Sequence, residues 1–495
     1  MYKPSISELQ TLKDNYPIVP ISKEIFADNT TPIKVLRKLK YVSDRVYLFE
    51  SVESTHHWGR YSFLGFNPSL EITCRHHQMN IKSLINNTTH SLFTDNPNLE
   101  IRKILQQYKS PRFDFLPSFT GGLVGYFAYE YLRYSEKKLD FTDENMIVND
   151  IDLMLFDEVI AFDHYKQKII LIVNIKTDNL VKNYQKAQER LEMLANLIIN
   201  GKEKNIPTGK LLSDFEGEFT AKDYEKIVNK TQEYIKEGEI FQAVISNCLS
   251  AKFTGSLYNA YRFLRTTNPS PYMFYLSSEN LELAGSSPET LIKLQRGELT
   301  TFPIAGTMPR GKNDIEDKNF AEKLLQDEKE LAEHNMLVDL GRNDLGKISK
   351  FNSVVVEYKH KIEYFSHVMH LTSKVKSKIN SQFDALDAII ATLPAGTLSG
   401  APKIRAMEII HKLEKSSRGI YGGAIGYIDF VGNMDMCIGI RMAMAKNGRV
   451  YVRSGGGIVK DSIPQQEYQE TVNKAKSIVE AIKKAQEVSD YDFIN

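Results

Sequence analysis

The chain predicts an α+β fold in which large, mostly antiparallel β-sheets are covered by helices. Three observations carry that expectation. Short β-branched and aromatic runs crowd the first 200 residues, and two of them follow each other as hairpin strands do. Beyond residue 210, strand-like and helix-like segments do not alternate regularly, which argues against a doubly wound parallel sheet. Several long stretches carry core-spaced apolar residues behind capping residues, as covering helices should.

Taken in order, strands are expected over 47–51, 121–127, 159–164 and 168–173, the last two as a hairpin, followed by a helix over 179–199. Residues 200–210 are polar, rich in breakers and without periodicity, so a boundary falls there and divides the chain into 1–210 and 211–495. Thr220 and Asp223 open a helix over 220–236. Strands follow over 239–250, 281–284, 354–356, 424–430 and 450–453. Phe320, Leu324, Leu331 and Val338 have core spacing in one long helix over 317–340. Shorter helical signal covers 403–412, and Pro464 starts a final helix to about 486.

Composition narrows the function. The 495 residues are 42% hydrophobic and 25% charged with net charge +1, an ordinary globular balance with no nucleic-acid or membrane footprint. No apolar run reaches the roughly 20 residues of a membrane span, and the N-terminus lacks a signal-peptide core. Cys74, Cys248 and Cys437 are widely spaced, which fits a reducing compartment, so a cytoplasmic location is expected.

The chemistry concentrates in two glutamate pairs. Glu330 with Glu333, and Glu467 with Glu470, each have i,i+3 spacing, which puts both carboxylates on one helix face. Alone, each pair would be a solvated face. If the two helices oppose each other, four negative charges converge, and an all-oxygen set of that charge calls for Mg2+. Gly455-Gly456-Gly457 is expected as a turn after the strand 450–453, its N–H groups turned toward an anion. The run 394–403 imitates a phosphate loop but lacks Lys-Ser or Lys-Thr after its second glycine, so it reads as a turn into a helix. Neither a G-x-S-x-G elbow nor a G-x-C-x-G turn is present, so this chain is not expected to hydrolyse glutamine itself.

Together with Phe241-Gln242-Ala243-Val244-Ile245-Ser246, Gly285-Ser286-Ser287-Pro288-Glu289, Pro303-Ile304-Ala305-Gly306-Thr307 and the Pro394–Pro402 and Gly419–Tyr427 runs, these motifs resemble the chorismate-utilising enzyme family, most closely its anthranilate synthase large-subunit (component I) branch. The resemblance is dense from about residue 215 to 480. It implies a sandwich of large sheets, with feedback elements in 1–210 and a chorismate-binding catalytic region in 211–495. Water-adding relatives carry a lysine where this chain has Gln242, and aminodeoxychorismate-forming relatives carry one where it has Ala305; both departures favour anthranilate formation. Aminodeoxychorismate synthase component I is the alternative.

The resemblance further implies a role for each site residue. Glu333 and Glu467 would bind Mg2+ directly, with Glu330 and Glu470 acting through water. Glu289 would be the general acid and His370 a proton-handling group. Arg441 and Tyr421 would grip the enolpyruvyl carboxylate of chorismate. Gln242, Thr307, Thr397, Gly455, Gly456 and Gly457 would complete the substrate cradle. Glu50 and Ser51, facing Asn268, Pro269, Ser270, Pro271, Tyr272 and Met273, would form a tryptophan feedback pocket. Ammonia would come from a separate glutamine amidotransferase subunit (component II).

Overall fold

The computed structural model describes residues 2–51, 59–139, 147–364 and 368–487. Two large sheets, one of 14 strands and one of 12, form its frame. In the larger sheet Tyr61–Phe66 and Val46–Glu50 lead into Tyr272–Ser277, Glu282–Ser287, Met442–Lys446, Arg449–Ile458 and Gln242–Thr254. In the smaller, Val368–Lys378, Glu298–Thr301, Thr290–Gln295, Met434–Ile438 and Ala424–Asp429 lead into Gly122–Phe127 and Ile151–Phe156.

Strand alternation separates the cores. In Val46–Glu50, Leu48 enters a core with helices Pro32–Val42, Leu180–Asn200, Tyr258–Thr267 and Pro464–Ala485, whereas its neighbour Tyr47 enters a second core. That second core lies between the sheets, where Tyr47 meets Phe156 edge-on at 4.7 Å and Phe119 meets Tyr427 at 4.2 Å. A third core includes residues of Pro97–Gln107, Glu328–Gly346, Ala385–Thr392 and Lys403–Leu413. The layers therefore run helix, sheet, sheet, helix, as the α+β expectation holds.

Both sheets are seamed from distant parts of the chain. Met273 pairs with Glu50 and Phe274 with Phe49 in an antiparallel ladder, and Gly125 pairs with Gly426 in the other sheet. The stretch at 200–210 lies between helix Leu180–Asn200 and strand Lys210–Leu211, and the segments on its two sides share both sheets.

Two elements differ from expectation. The helix expected over 317–340 is two helices, Asp314–Gln326 and Glu328–Gly346. Asp327, between them, leaves helical geometry (ψ 103) and its carboxylate caps the second helix. The strand expected over 450–453 runs as Arg449–Ile458, so the three glycines are ladder residues and not a turn. A purely local reading of consecutive glycines misses this because tertiary pairing with Gln242–Thr254 decides it.

Candidate active site

The new helix break positions the first glutamate pair. Asp327 accepts N–H bonds from Lys329 at 3.0 Å and Glu330 at 3.1 Å, starting the helix so that Glu330 and Glu333 occupy its first turns. Glu330 Oε2 lies 3.1 Å from where a side chain on Gly306 would begin, and Glu467 Oε2 lies 3.1 Å from the same position on Gly456. Burial, then the Glu333 charge, raises the Glu330 pKa, and Glu470 on the opposite helix adds to it. Burial likewise raises Glu467, with Glu470 adding and Lys329 opposing from the other helix. The acidic helices therefore feel each other's charges. Among the described residues, no three His, Cys, Asp or Glu side chains are close enough to hold one ion together. Glu330 and Glu467 are half-buried whereas Glu333 and Glu470 are exposed, so the carboxylates are not gathered at a point; this oxygen-only set would suit a hard cation that relieves its charge.

Lys474, which sequence reasoning passed over, joins the same cluster. Its Nζ is 2.6 Å from Glu470 and donates to the Gly455 carbonyl at 3.0 Å. The signal available was its place one helical turn after Glu470.

The glycine strand forms the facing wall. Gly455 pairs with Ser246, Gly456 with Ile245 and Gly457 with Val244 on one side. On the other side, strand Met442–Lys446 pairs with it only at Arg449, Val450 and Tyr451. Alternate glycine N–H groups therefore point to an edge that this neighbour does not occupy, and an anion can use them. Gln242 Nε2 lies 2.5 Å from the Cβ position of Gly457, so any side chain there would collide with it. The Tyr421 hydroxyl lies 3.0 Å from the Cβ position of Gly455. Arg441, held in left-handed backbone (φ 51), donates to the Lys474 carbonyl and carries a charge felt by Tyr421. Burial pushes the Tyr421 phenol up to about 12 and lowers the Arg441 pKa. Tyr421 and Arg441 are thus neighbours beside the glycine edge, with Lys474 close by.

Glu289 follows the strand Glu282–Ser287. It accepts a hydrogen bond from the Thr397 hydroxyl at 3.0 Å, and burial raises its pKa to about 7. Such a carboxyl keeps its proton below about pH 7 and can give it away. His370 lies on Val368–Lys378; residues 365–367, the start of its apolar run, lie outside the described residues. Its Nδ1 is 3.1 Å from the Gly306 carbonyl and 3.0 Å from the Thr307 hydroxyl. Because a carbonyl only accepts, Nδ1 carries the proton and the ring's lone pair is on Nε2. Burial lowers the His370 pKa, keeping the ring neutral, with the Arg441 charge adding to that.

The candidate feedback residues surround a different space. A cavity of about 470 Å³ between the sheets is lined by Phe49, Glu50, Ser51, Pro271, Tyr272 and Met273, with Tyr427 and Arg60 among its other walls. Strand alternation turns Phe49 toward the intersheet core and Glu50 the other way. There the Glu50 carboxylate accepts from Tyr261 at 2.7 Å and from Arg265 at 2.8 and 3.0 Å. Its carboxylate is thus already paired, although Glu50 also lines the cavity. Asn268 donates to the Ser286 hydroxyl at 2.9 Å. Asn268, Pro269 and Ser270 are not among the residues lining the cavity. The Tyr272 hydroxyl reaches Asp435 at 2.8 Å and Thr290 at 3.0 Å, and Thr290 directly follows Glu289.

Comparison with known proteins places this geometry. The family model described as chorismate binding enzyme matches residues 45–480. Anthranilate synthase component 1 of Acetivibrio thermocellus is 40% identical, covering 99% of this chain and 100% of that protein. Its counterpart from Aquifex aeolicus (strain VF5) is 42% identical, covering 98% of each. The crystal structure of anthranilate synthase component I from Streptococcus pneumoniae TIGR4 superposes with a TM-score of 0.74 at 36% identity, covering 92% of this chain and 99% of that one. MenF, the menaquinone-specific isochorismate synthase from Escherichia coli, shares the fold with a TM-score of 0.68 at 18% identity, covering 96% of this chain and 98% of that one. With its matched region spanning both sheets and every element of the cleft, the chain belongs to the chorismate-binding enzyme family.

Proposed function

We propose that this chain is the large subunit of an anthranilate synthase, converting chorismate and ammonia to anthranilate, pyruvate and water. The observation that carries the reading is Gln242, packed against Gly457 where the water-adding relatives need a lysine. With no basic side chain at that position to activate water, ammonia, itself a competent nucleophile, is favoured. Ala305, in the strand beside His370, likewise removes the covalent lysine of the aminodeoxychorismate branch.

In this reading Arg441 and Tyr421 bind the enolpyruvyl carboxylate, and the glycine-edge amides, with Thr397, Thr307 and Gln242, hold the remaining polar groups. Glu289 delivers its proton to the departing ring hydroxyl. The Nε2 lone pair of His370 takes part in proton removal as pyruvate leaves and the ring aromatises. Glu330, Glu333, Glu467 and Glu470 would hold Mg2+, which when bound supplies positive charge for the substrate's ring carboxylate. Lys474 balances part of the same acidic cluster.

Ammonia would be supplied by a glutamine amidotransferase subunit. Tryptophan would inhibit by occupying the 470 Å³ cavity, whose aromatic walls and Ser51 suit an amphipathic indole amino acid. No helix among the described residues is long and apolar enough to cross a membrane. Incubation with chorismate, Mg2+ and an ammonium salt tests the reading. Fluorescent anthranilate with one pyruvate per turnover supports it; a non-aromatic amino product without pyruvate shifts the assignment to aminodeoxychorismate synthase.

A further inference from the structure

The face of helix Glu328–Gly346 that carries Glu330 also carries His334, one turn further on. His334 is fully buried, and its Nε2 shares a hydrogen bond of 2.6 Å with the Ser373 hydroxyl on strand Val368–Lys378, three residues beyond His370. Its Nδ1 has no hydrogen-bond partner among the described residues, so Ser373 is the ring's polar anchor there. Ser373 is fully buried too, and its backbone N–H donates to the Pro303 carbonyl at 3.0 Å. Pro303 stands just ahead of strand Ile304–Pro309, which brings Gly306 and Thr307 to His370.

A third strand joins the same cluster. The pairing of Val355–Tyr364 with Val368–Lys378 slips between Tyr358 and Lys361, and His360, inside the slip, has left-handed backbone (φ 58). A residue with a Cβ is strained in that conformation, so other contacts must hold it there. Its N–H donates to the Ser373 hydroxyl oxygen at 3.1 Å, and its Nε2–H donates to Asn335 Oδ1 at 2.9 Å. Its ring meets that of His334 edge-on at 5.4 Å. Two neighbouring strands are thereby fastened to the two helix residues that follow Glu333.

This fastening lies close to the proposed chemistry. Glu330 Oε2 stands 3.1 Å from the Cβ position of Gly306, whose carbonyl holds His370 Nδ1. The acidic helix and the His370 strand therefore meet across one residue. At about 1.5 Å of rise per residue, His334 is only about 6 Å along the helix from Glu330, so little slack separates anchor from carboxylate. Mg2+ tolerates little, since it demands near-octahedral oxygens at about 2.0–2.1 Å. Burying a polar ring with one nitrogen unpaired is also unfavourable, and packing alone would be served better by an apolar side chain.

We propose that His334, anchored on Ser373, is a positioning residue that sets the height of the acidic helix against the His370 strand and so places Glu330 and Glu333 for a divalent cation; the inference rests on the Mg2+ reading above.

Mn2+ shares the preference for octahedral oxygen and reports on the site without turnover, because a bound ion leaves the free-ion electron paramagnetic resonance signal. Titrated into the full chain, it gives a Kd directly. Ser373→Ala and His334→Leu are each expected to raise that Kd at least about tenfold, the loss typical when a metal site's supporting bonds are removed. His334→Gln, whose amide can bond the Ser373 hydroxyl, should stay near wild type. Anthranilate assays should show the same rise in half-saturating Mg2+, with the chorismate KM at saturating Mg2+ near wild type. Asn335→Ala, at a half-buried position, should also weaken Mn2+ and carries the test where the core variants do not fold. Leu191→Ala, in the remote core against helix Leu180–Asn200, should lower the urea midpoint and leave the Mn2+ Kd alone. An unchanged Kd in folded Ser373→Ala or in Asn335→Ala, a His334→Gln protein as weak as His334→Leu, or an equal rise in Leu191→Ala would each overturn the proposal. Wild type that takes up no Mn2+ would instead defeat the metal reading on which it stands.

Discussion

Replacing Glu289 by glutamine tests the acid at the centre of the proposed chemistry. The change keeps the side chain's size and an oxygen for the Thr397 hydroxyl, and removes only the titratable proton. Burial lifts this carboxyl from its ordinary 4.5 to about 7. At about 1.4 kcal/mol per tenfold in proton affinity, the folded site disfavours the charged form by roughly 3 kcal/mol. The sign follows from the raised value: between those two pH values the folded chain holds a proton that the unfolded chain has released. The group's share of stability is thus complete below about 4.5 and declines as pH rises to about 7, by roughly 3 kcal/mol in all. Burial also raises Glu130, Asp152 and Asp429 to about 7, so only the difference between wild type and variant isolates Glu289. Urea unfolding at about pH 4 and pH 8 should show the glutamine protein gaining up to roughly 3 kcal/mol on wild type between the two. Turnover should fall roughly 10²- to 10⁴-fold, and wild-type kcat/KM should decline as pH passes about 7. Parallel stability curves, or a variant with wild-type kcat, would refute the reasoning.

Three other outcomes follow. Glu333→Ala should abolish Mg2+-dependent turnover and the stabilisation expected of wild type in saturating Mg2+, about 2.7 kcal/mol at 100 times Kd; retained turnover would remove Glu333 from the metal set. Ser51→Phe should fill part of the intersheet cavity, eliminating tryptophan inhibition while ammonia-dependent activity persists, and unchanged inhibition counts against that pocket. Glu414→Gln takes the carboxylate from buried Arg418 and Arg453 and should cost about 3–5 kcal/mol in urea unfolding, an unaltered midpoint contradicting it.

Much of the site was legible because its chemistry is written in local patterns. The i,i+3 glutamates, the glycine triplet and Glu289 after its serine pair keep their meaning whichever sheet they join. What local pattern could not show was direction. Glu50 belongs to a motif beside the intersheet cavity, yet strand alternation sends its carboxylate to Arg265 on the helix side. The glycines read as a turn because their own propensity says so, and only pairing with Gln242–Thr254 makes them a strand. Lys474 and the Arg418–Glu414 pair were invisible for a related reason: an isolated charged residue on a helix or loop gives no hint that it will be enclosed. The α+β class survived these errors since it depends on how many strands and helices there are, not on their exact ends.

The interlaced sheets also govern how this chain can be made. Ladders such as Met273 with Glu50 join residues more than 200 positions apart, so an emerging N-terminal portion leaves the ribosome with open edges awaiting partners not yet synthesised. Severing the peptide near residue 205 would yield two halves with complementary raw edges, stable only when brought back together.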